Sequence, residues 1–383
     1  MPKKLSTRLG HLNTGRLSPT VNPPIERGST LMMPDIKALY SQKPNYGRMG
    51  HTVHRELIEG LCTLEGASHA QLTPNGLSAC ALALASFVKA GDHILVADSI
   101  YGPSRRFCTR RLRHMGVEAT FFPANIGPEI EDLFEENTAL LYLEAPGSLT
   151  FEICDTPMLA AKAKAAGIRT ALDNTWGCGI GFRPLDHGID VSIQALTKYV
   201  VGHADSLGGA VMTAEKREAN LVTATAADWG LSLGPDDAYM ALRGLRTLQT
   251  RWDAHEAAGL KVANWLSAHP AVSRVLHPAL PEHPDHALWK RDFHASNGLF
   301  GICLNPMSET RFNTFFESLT LFNFGFSWGA FESLLIPADP DTMRHKGHWL
   351  ETDPGHLLRA HIGLEDPDDL IADLTQAFEQ AGV

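Results

Sequence analysis

The chain of 383 residues carries a formal net charge of −10, is 44% hydrophobic and 20% charged, and is long enough for a major domain with a smaller companion. An acidic chain without a dense Lys/Arg stripe excludes nucleic acid and anionic membranes as partners. The start, MPKKLSTRLGHLNTGRLSP, has charge but no apolar run behind it, and no later run approaches membrane-spanning length, so the expected location is the cytoplasm. Six cysteines are scattered without a CxxC pair and read as reduced packing residues.

Residues 1–49 hold Pro19, Pro23, Pro24, Pro34 and Pro44 with little periodicity and read as an extended arm or ordered loops, a device for reaching a neighbouring subunit. Residues 50–244 form the first domain. There HAQLTP, DHILVA, EATFFPA, TALLYLEA, RTALDN and DVSIQAL alternate with helical patterns, which predicts an α/β fold with a large, mostly parallel sheet covered on both faces. Near residue 236 the pattern changes. Residues 236–269 read as one long helix, and strands such as LFGICL and LLRAHIGL then mix with helices, giving a smaller C-terminal α+β domain over 245–383. The last helix opens with Asp366 as N-cap and Pro367 at its first position.

Ligands of an open α/β sheet bind at the carboxyl ends of its strands, where Pro74-Asn75-Gly76, Asp98, Glu144, Asp173 and Lys198 fall. Lys198 either points to water from a strand end or is a desolvated amine able to form a Schiff base. Asp173 either caps a turn with Asn174 and Thr175 or serves as a carboxylate partner for a bound ring. Together the two match what pyridoxal phosphate requires: a lysine tethers the aldehyde and a carboxylate holds a proton on the pyridine nitrogen. Gly76 and Leu77, opening a helix after a strand, offer free amides to a phosphate, and Thr197 adds a hydroxyl. Tyr101 fits either a ring lying flat on a planar cofactor or an interfacial aromatic. Arg48, near Tyr46 in NYGRMG, is a solvated charge or a phosphate fork.

Other chemistries find less support. GCGIGF at 177–182 lacks GxGxxG spacing, no GxSxG or Walker motif occurs, and His277, His283 and His286 in HPALPEHPDH fit a proline-punctuated surface loop better than a metal site.

NYGRMG, DSIYGP, LEAPGSLT, ALDNTW, DVSIQALTKYVVGHAD, RGLRTL, FSWGAFESL and RAHIGLEDPDDLIADL stand in the order found in the pyridoxal phosphate enzymes of cysteine and methionine metabolism, and the chain resembles that trans-sulfuration family from about residue 5 to its end. The resemblance implies the aspartate-aminotransferase-like type I fold and a homotetramer built from two active dimers. It implies Lys198 as Schiff-base lysine and acid/base, Asp173 as pyridinium partner and Tyr101 as stacking ring. Gly76, Leu77 and Thr197 would hold the phosphate, joined by Tyr46 and Arg48 from a neighbouring subunit. Arg359 would clamp the substrate α-carboxylate, with Ser327 and Trp328 lining the pocket.

The activity so implied is a carbon–sulfur β-lyase that splits L-cystathionine into homocysteine, pyruvate and ammonia for methionine biosynthesis. Relatives that act at the γ position often carry a glutamate two residues before the Trp328 position, where this chain has Phe326, expected here as part of a tight aromatic wall. Two departures stand out: Ala195 replaces a phosphate-binding serine, and Gly102 and Arg106 offer no acidic group to the far amino group of cystathionine. The alternatives are a β-lyase for another S-substituted cysteine, such as a cysteine conjugate or cystine, and a cofactor-bound protein whose role is to bind a partner.

Overall fold

A computed structural model of the chain describes residues 3–12, 20–41, 44–340, 344–345, 348 and 355–383. Seven strands form the main sheet: β1 (His69–Thr73), β2 (His93–Ala97), β3 (Glu118–Phe122), β4 (Thr138–Glu144), β5 (Arg169–Asp173), β6 (Val191–Gln194) and β7 (Gly209–Thr213), in spatial order β1-β7-β6-β5-β4-β2-β3. The pairs from β3 to β6 are parallel, joined by crossovers. β7 runs against both its neighbours, because residues 195–208 return from β6 as a loop with no helix in it. That loop carries Lys198.

β2, β6 and β7 are buried along their whole length, as strands covered on both faces must be. Ile94, Val96, Leu141 and Leu143 belong to one core cluster; Leu57, Leu61, Met212, Leu245 and Trp252 belong to another. The helix Gly76–Ala85 has no charged residue and packs over β5, β6 and β7, so its N-terminus is fixed at the edge where those strands deliver their side chains.

The smaller sheet is antiparallel, with β8 (Val272–Leu276), β9 (Leu299–Leu304), β10 (Leu334–Ala338) and β11 (His356–His361) in the order β10-β11-β9-β8. A third cluster, including Phe300, Ile302, Phe315, Leu358, Leu374 and Phe378, lies between it and its helices. Asp366 caps the final helix through Asp368 N at 2.9 Å, ahead of Pro367.

Three expectations need correction. The long helix of 236–269 is two helices, Pro235–Arg246 and Leu248–Ser267, broken at Thr247 (φ −106°). The Gly244 carbonyl there accepts from Thr247 N, Thr247 Oγ1 and Arg251 Nη2 (2.7 Å), and this competition ends the first helix. The arm is not wholly extended: Leu5–Gly10 is helical, and Leu9 and Leu12 are buried in the Leu57 cluster. His277 and His283 are core residues rather than surface ones, with burial pushing each pKa down to about 4.

Candidate active site

Lys198 sits on a loop that is rigid by its own bonds. Lys198 N donates to Ala195 O (3.2 Å), Gly202 N donates to Lys198 O (2.8 Å), and the Thr197 hydroxyl is 3.2 Å from both the carbonyl and the amide of Gly208. The buried Arg251 guanidinium donates to the carbonyls of Tyr199 (2.8 Å) and Val200 (3.3 Å). Gly202, at φ +68°, leaves room for it; a Cβ there would lie 1.9 Å from Arg251 Nη1. The Lys198 amine stands 2.8 Å from Ser327 Oγ and 5.2 Å from the Trp328 ring centre. Burial, then the Arg359 charge, lowers its pKa to about 8 against the pull of Asp173, which answers the choice between solvent-facing and desolvated amine in favour of the second.

Asp173 ends β5 in register with Glu144 at the end of β4. One Asp173 oxygen accepts from Thr175 N (3.0 Å) and Thr175 Oγ1 (2.5 Å), so the carboxylate does cap its turn; the other has the Cys80 thiol at 3.4 Å. A thiol is a weak donor. Burial raises the Asp173 pKa. The Glu144 carboxyl is pushed well up by burial and by Asp173, and it holds Tyr101 N at 2.6 Å and Ser148 Oγ at 2.8 Å. Tyr101 is thereby fixed at the start of the helix Gly102–Arg106, its phenol kept neutral by burial and by Cys80, Glu144 and Asp173.

Opposite lies the anion cradle. Asn75 Oδ1 takes the Ser78 amide at 2.9 Å, while the amides of Gly76 and Leu77 begin the helix ahead of any intrahelical acceptor. A Cβ on Gly76 would come within 2.5 Å of Ala195 Cβ, so helix and lysine loop meet as closely as glycine permits. Arg359, on β11 between Ile336 and Gly301, donates to Ser327 O at 2.9 Å, and burial lowers its pKa to about 10.

The structure brings Lys198, Asp173, Tyr101, Gly76, Leu77, Thr197, Ser327, Trp328 and Arg359 to one sheet edge. It does not bring Tyr46 and Arg48 there within one chain: they line a separate cleft of ≈ 530 Å³ with Arg27, His51, His54 and Asp236. Phe326 is 91% exposed, so it forms no wall in this chain and the aromatic face is that of Trp328, packed on Tyr199. Arg251, Cys80 and Glu65 escaped the sequence reading. They act from beneath the pocket, and only Glu65, in an otherwise apolar helix face, carries any pattern signal.

A buried carboxylate with one weakly satisfied oxygen, an amine biased toward its free base and a helix N-terminus pressed to a glycine fit pyridoxal phosphate. Lys198, Asp173, Tyr101, Gly76, Leu77 and Thr197 are the residues that would hold it. Fold and site define a pyridoxal-phosphate enzyme with a large, mostly parallel sheet and a smaller antiparallel one. The family model described as Cys/Met metabolism PLP-dependent enzyme matches residues 9–379, and the chain belongs to that family. It is 40% identical to cystathionine beta-lyase MetC of Escherichia coli (strain K12), over 98% of each chain, and 40% identical to cystathionine beta-lyase of Bordetella avium, over 99% of this chain and 98% of the other. The crystal structure of cystathionine gamma synthase from Xanthomonas oryzae pv. oryzae in complex with cystathionine superposes with a TM-score of 0.92 at 28% identity, over 100% of this chain and 99% of that one.

Proposed function

We propose that this enzyme is a cystathionine β-lyase of methionine biosynthesis, cleaving L-cystathionine to homocysteine, pyruvate and ammonia in the cytoplasm. The observation that carries the reading is the Lys198 amine, its pKa lowered to about 8 chiefly by burial and its Nζ 2.8 Å from Ser327 Oγ, a base able to take the Cα proton that β-elimination requires; the 40% identity to enzymes named cystathionine beta-lyase favours cleavage at Cβ. Pyridoxal phosphate, when bound, supplies the electron sink that makes the Cα proton acidic. Arg359 binds the α-carboxylate through the N–H groups it does not spend on Ser327 O. Lys198 takes the Cα proton. The Cβ–S bond then breaks with its electron pair on sulfur, which is protonated as it leaves, and hydrolysis of the remaining enamine gives pyruvate and ammonia.

Asp173 would hold the pyridine proton, Tyr101 would lie against the ring, and Gly76, Leu77 and Thr197 would hold the phosphate. Tyr46 and Arg48 reach the phosphate from a second copy in a homotetramer of two active dimers. Arg106, exposed and close enough to act on the Tyr101 phenol, favours a second reading: a cation here repels the far ammonium of cystathionine, so a β-lyase for another S-substituted cysteine is the alternative. The test is a visible spectrum of the purified protein and a pyruvate and thiol assay with L-cystathionine and with L-cystine. Yellow protein releasing homocysteine from cystathionine supports the first reading; preference for cystine selects the second; turnover retained by Lys198→Ala overturns both.

A further inference from the structure

Two residues of β11 on one face, Arg359 and His361, grip the same turn. Arg359 Nη2 donates to Ser327 O at 2.9 Å, and Gly329 N donates to His361 Nε2 at 3.0 Å. The turn is strained, with φ of +91° at Ser327 and +87° at Gly329. Gly329 also presses on the lysine loop, where a Cβ would lie 2.8 Å from Tyr199 N and 3.0 Å from Lys198 C. A non-glycine residue such as Ser327 adopts that conformation at a cost and persists there only where its surroundings over-determine it.

We infer that His361 is a positioning residue: through the Gly329 amide it holds the Ser327–Gly329 turn against Lys198, a second anchor beside the Arg359 bond to Ser327 O, so that Ser327 Oγ stays in place while Arg359 also takes a substrate carboxylate. His361 Nε2 lies between the Gly329 N–H and the Ala330 carbonyl (3.1 Å), while its buried Nδ1 has no hydrogen-bond partner among the described residues; a backbone N–H can only donate, so the grip on Gly329 requires the tautomer with its proton on Nδ1. The ring is buried beside His255 (centroids 5.4 Å apart) and Tyr199 (6.0 Å), and burial together with the charges of His255, Arg359 and Lys198 keeps it a neutral acceptor. The role of Arg359 in this inference rests on the proposed lyase reading; the grip on Gly329 does not.

Hydrogen exchange by mass spectrometry on the holoenzyme reads that grip directly. In the wild-type protein the Gly329 amide, though in a loop, exchanges as slowly as the amides of β11. In His361→Ala the peptide 327–331 exchanges roughly tenfold faster, the worth of about one hydrogen bond, while β9 and β10 are unchanged, and kcat falls more than KM rises. His361→Gln, whose amide oxygen can accept, restores both. An unprotected Gly329 in the wild type, equal loosening across β9–β11 in His361→Ala, or a folded His361→Gln that restores neither, overturns the inference. A protected Gly329 in a protein without lyase activity would leave it standing and remove the lyase reading instead.

Discussion

Lys198 Nζ and Ser327 Oγ are 2.8 Å apart, a contact the serine reaches only from a positive φ of +91°. Ser327→Ala keeps the strained backbone and loses the hydroxyl; kcat is expected to fall about tenfold, the worth of a hydrogen bond to a chargeable group. Ser327→Gly loses the same hydroxyl but relieves the strain, and should unfold about 1 kcal/mol later than the alanine variant. Equal melting of the two variants would remove the claim of strain.

Asp173→Asn separates the two uses of that carboxylate. The asparagine Oδ1 still accepts from the Thr175 amide and hydroxyl, so the turn and the melting temperature should survive. An amide cannot hold a proton on a pyridine nitrogen, and turnover should fall by on the order of a hundredfold or more, measured as pyruvate release from protein that still binds the cofactor. Wild-type rates would leave Asp173 with capping as its only use.

Gly76→Ala tests the anion cradle. The new Cβ meets Ala195 Cβ at 2.5 Å, so the helix start must retreat from the lysine loop and its first amides move off the phosphate. The cofactor dissociation constant should rise about tenfold by absorbance titration, with little change in global unfolding. A variant with unchanged affinity would place the phosphate elsewhere.

Much of this was legible in the chain because the chemistry lies where strands end. β5 ends in Asp173, and Lys198 follows the buried strand β6 by four residues, so a charged residue marks the end of each. Gly76 was legible for the same reason, as a glycine opening an apolar helix. What stayed hidden depends on contacts across the sequence. Arg251 lies 53 residues beyond Lys198 and looks like one more helical arginine until its guanidinium is seen on the Tyr199 and Val200 carbonyls. The same guanidinium also reaches the Gly244 carbonyl, part of the competition that ends the first of the two helices where periodicity had drawn one. Phe326 shows the reverse error, since an apolar residue beside a pocket motif need not face the pocket.

Glu65 provides a test that reads pH rather than turnover. It is wholly buried under the Asp173 strand end, accepting from Asn174 Nδ2 (3.0 Å), Ser192 Oγ (3.1 Å) and Gln194 Nε2 (2.5 Å). Burial outweighs these donors and pushes its pKa up to about 7. A carboxyl whose folded pKa is raised binds its proton more tightly in the native state, so its contribution to stability is greatest at low pH and declines as pH rises from about 4.5 to about 7. The decline is about 3 kcal/mol at most, from 1.36 kcal/mol per pKa unit. Carboxyls with lowered pKa, such as Asp98 and Asp373, slope the other way, so the difference between wild type and Glu65→Gln isolates the effect. That variant carries a pH-independent penalty, because its amide hydrogens face the Asn174 and Gln194 donors. Urea unfolding of both proteins in this window should therefore show the advantage of wild type shrinking as pH rises through it and holding constant above. A constant difference throughout would mean that Glu65 is ionised in the native state even at the acid end, and that its three donors outweigh its burial.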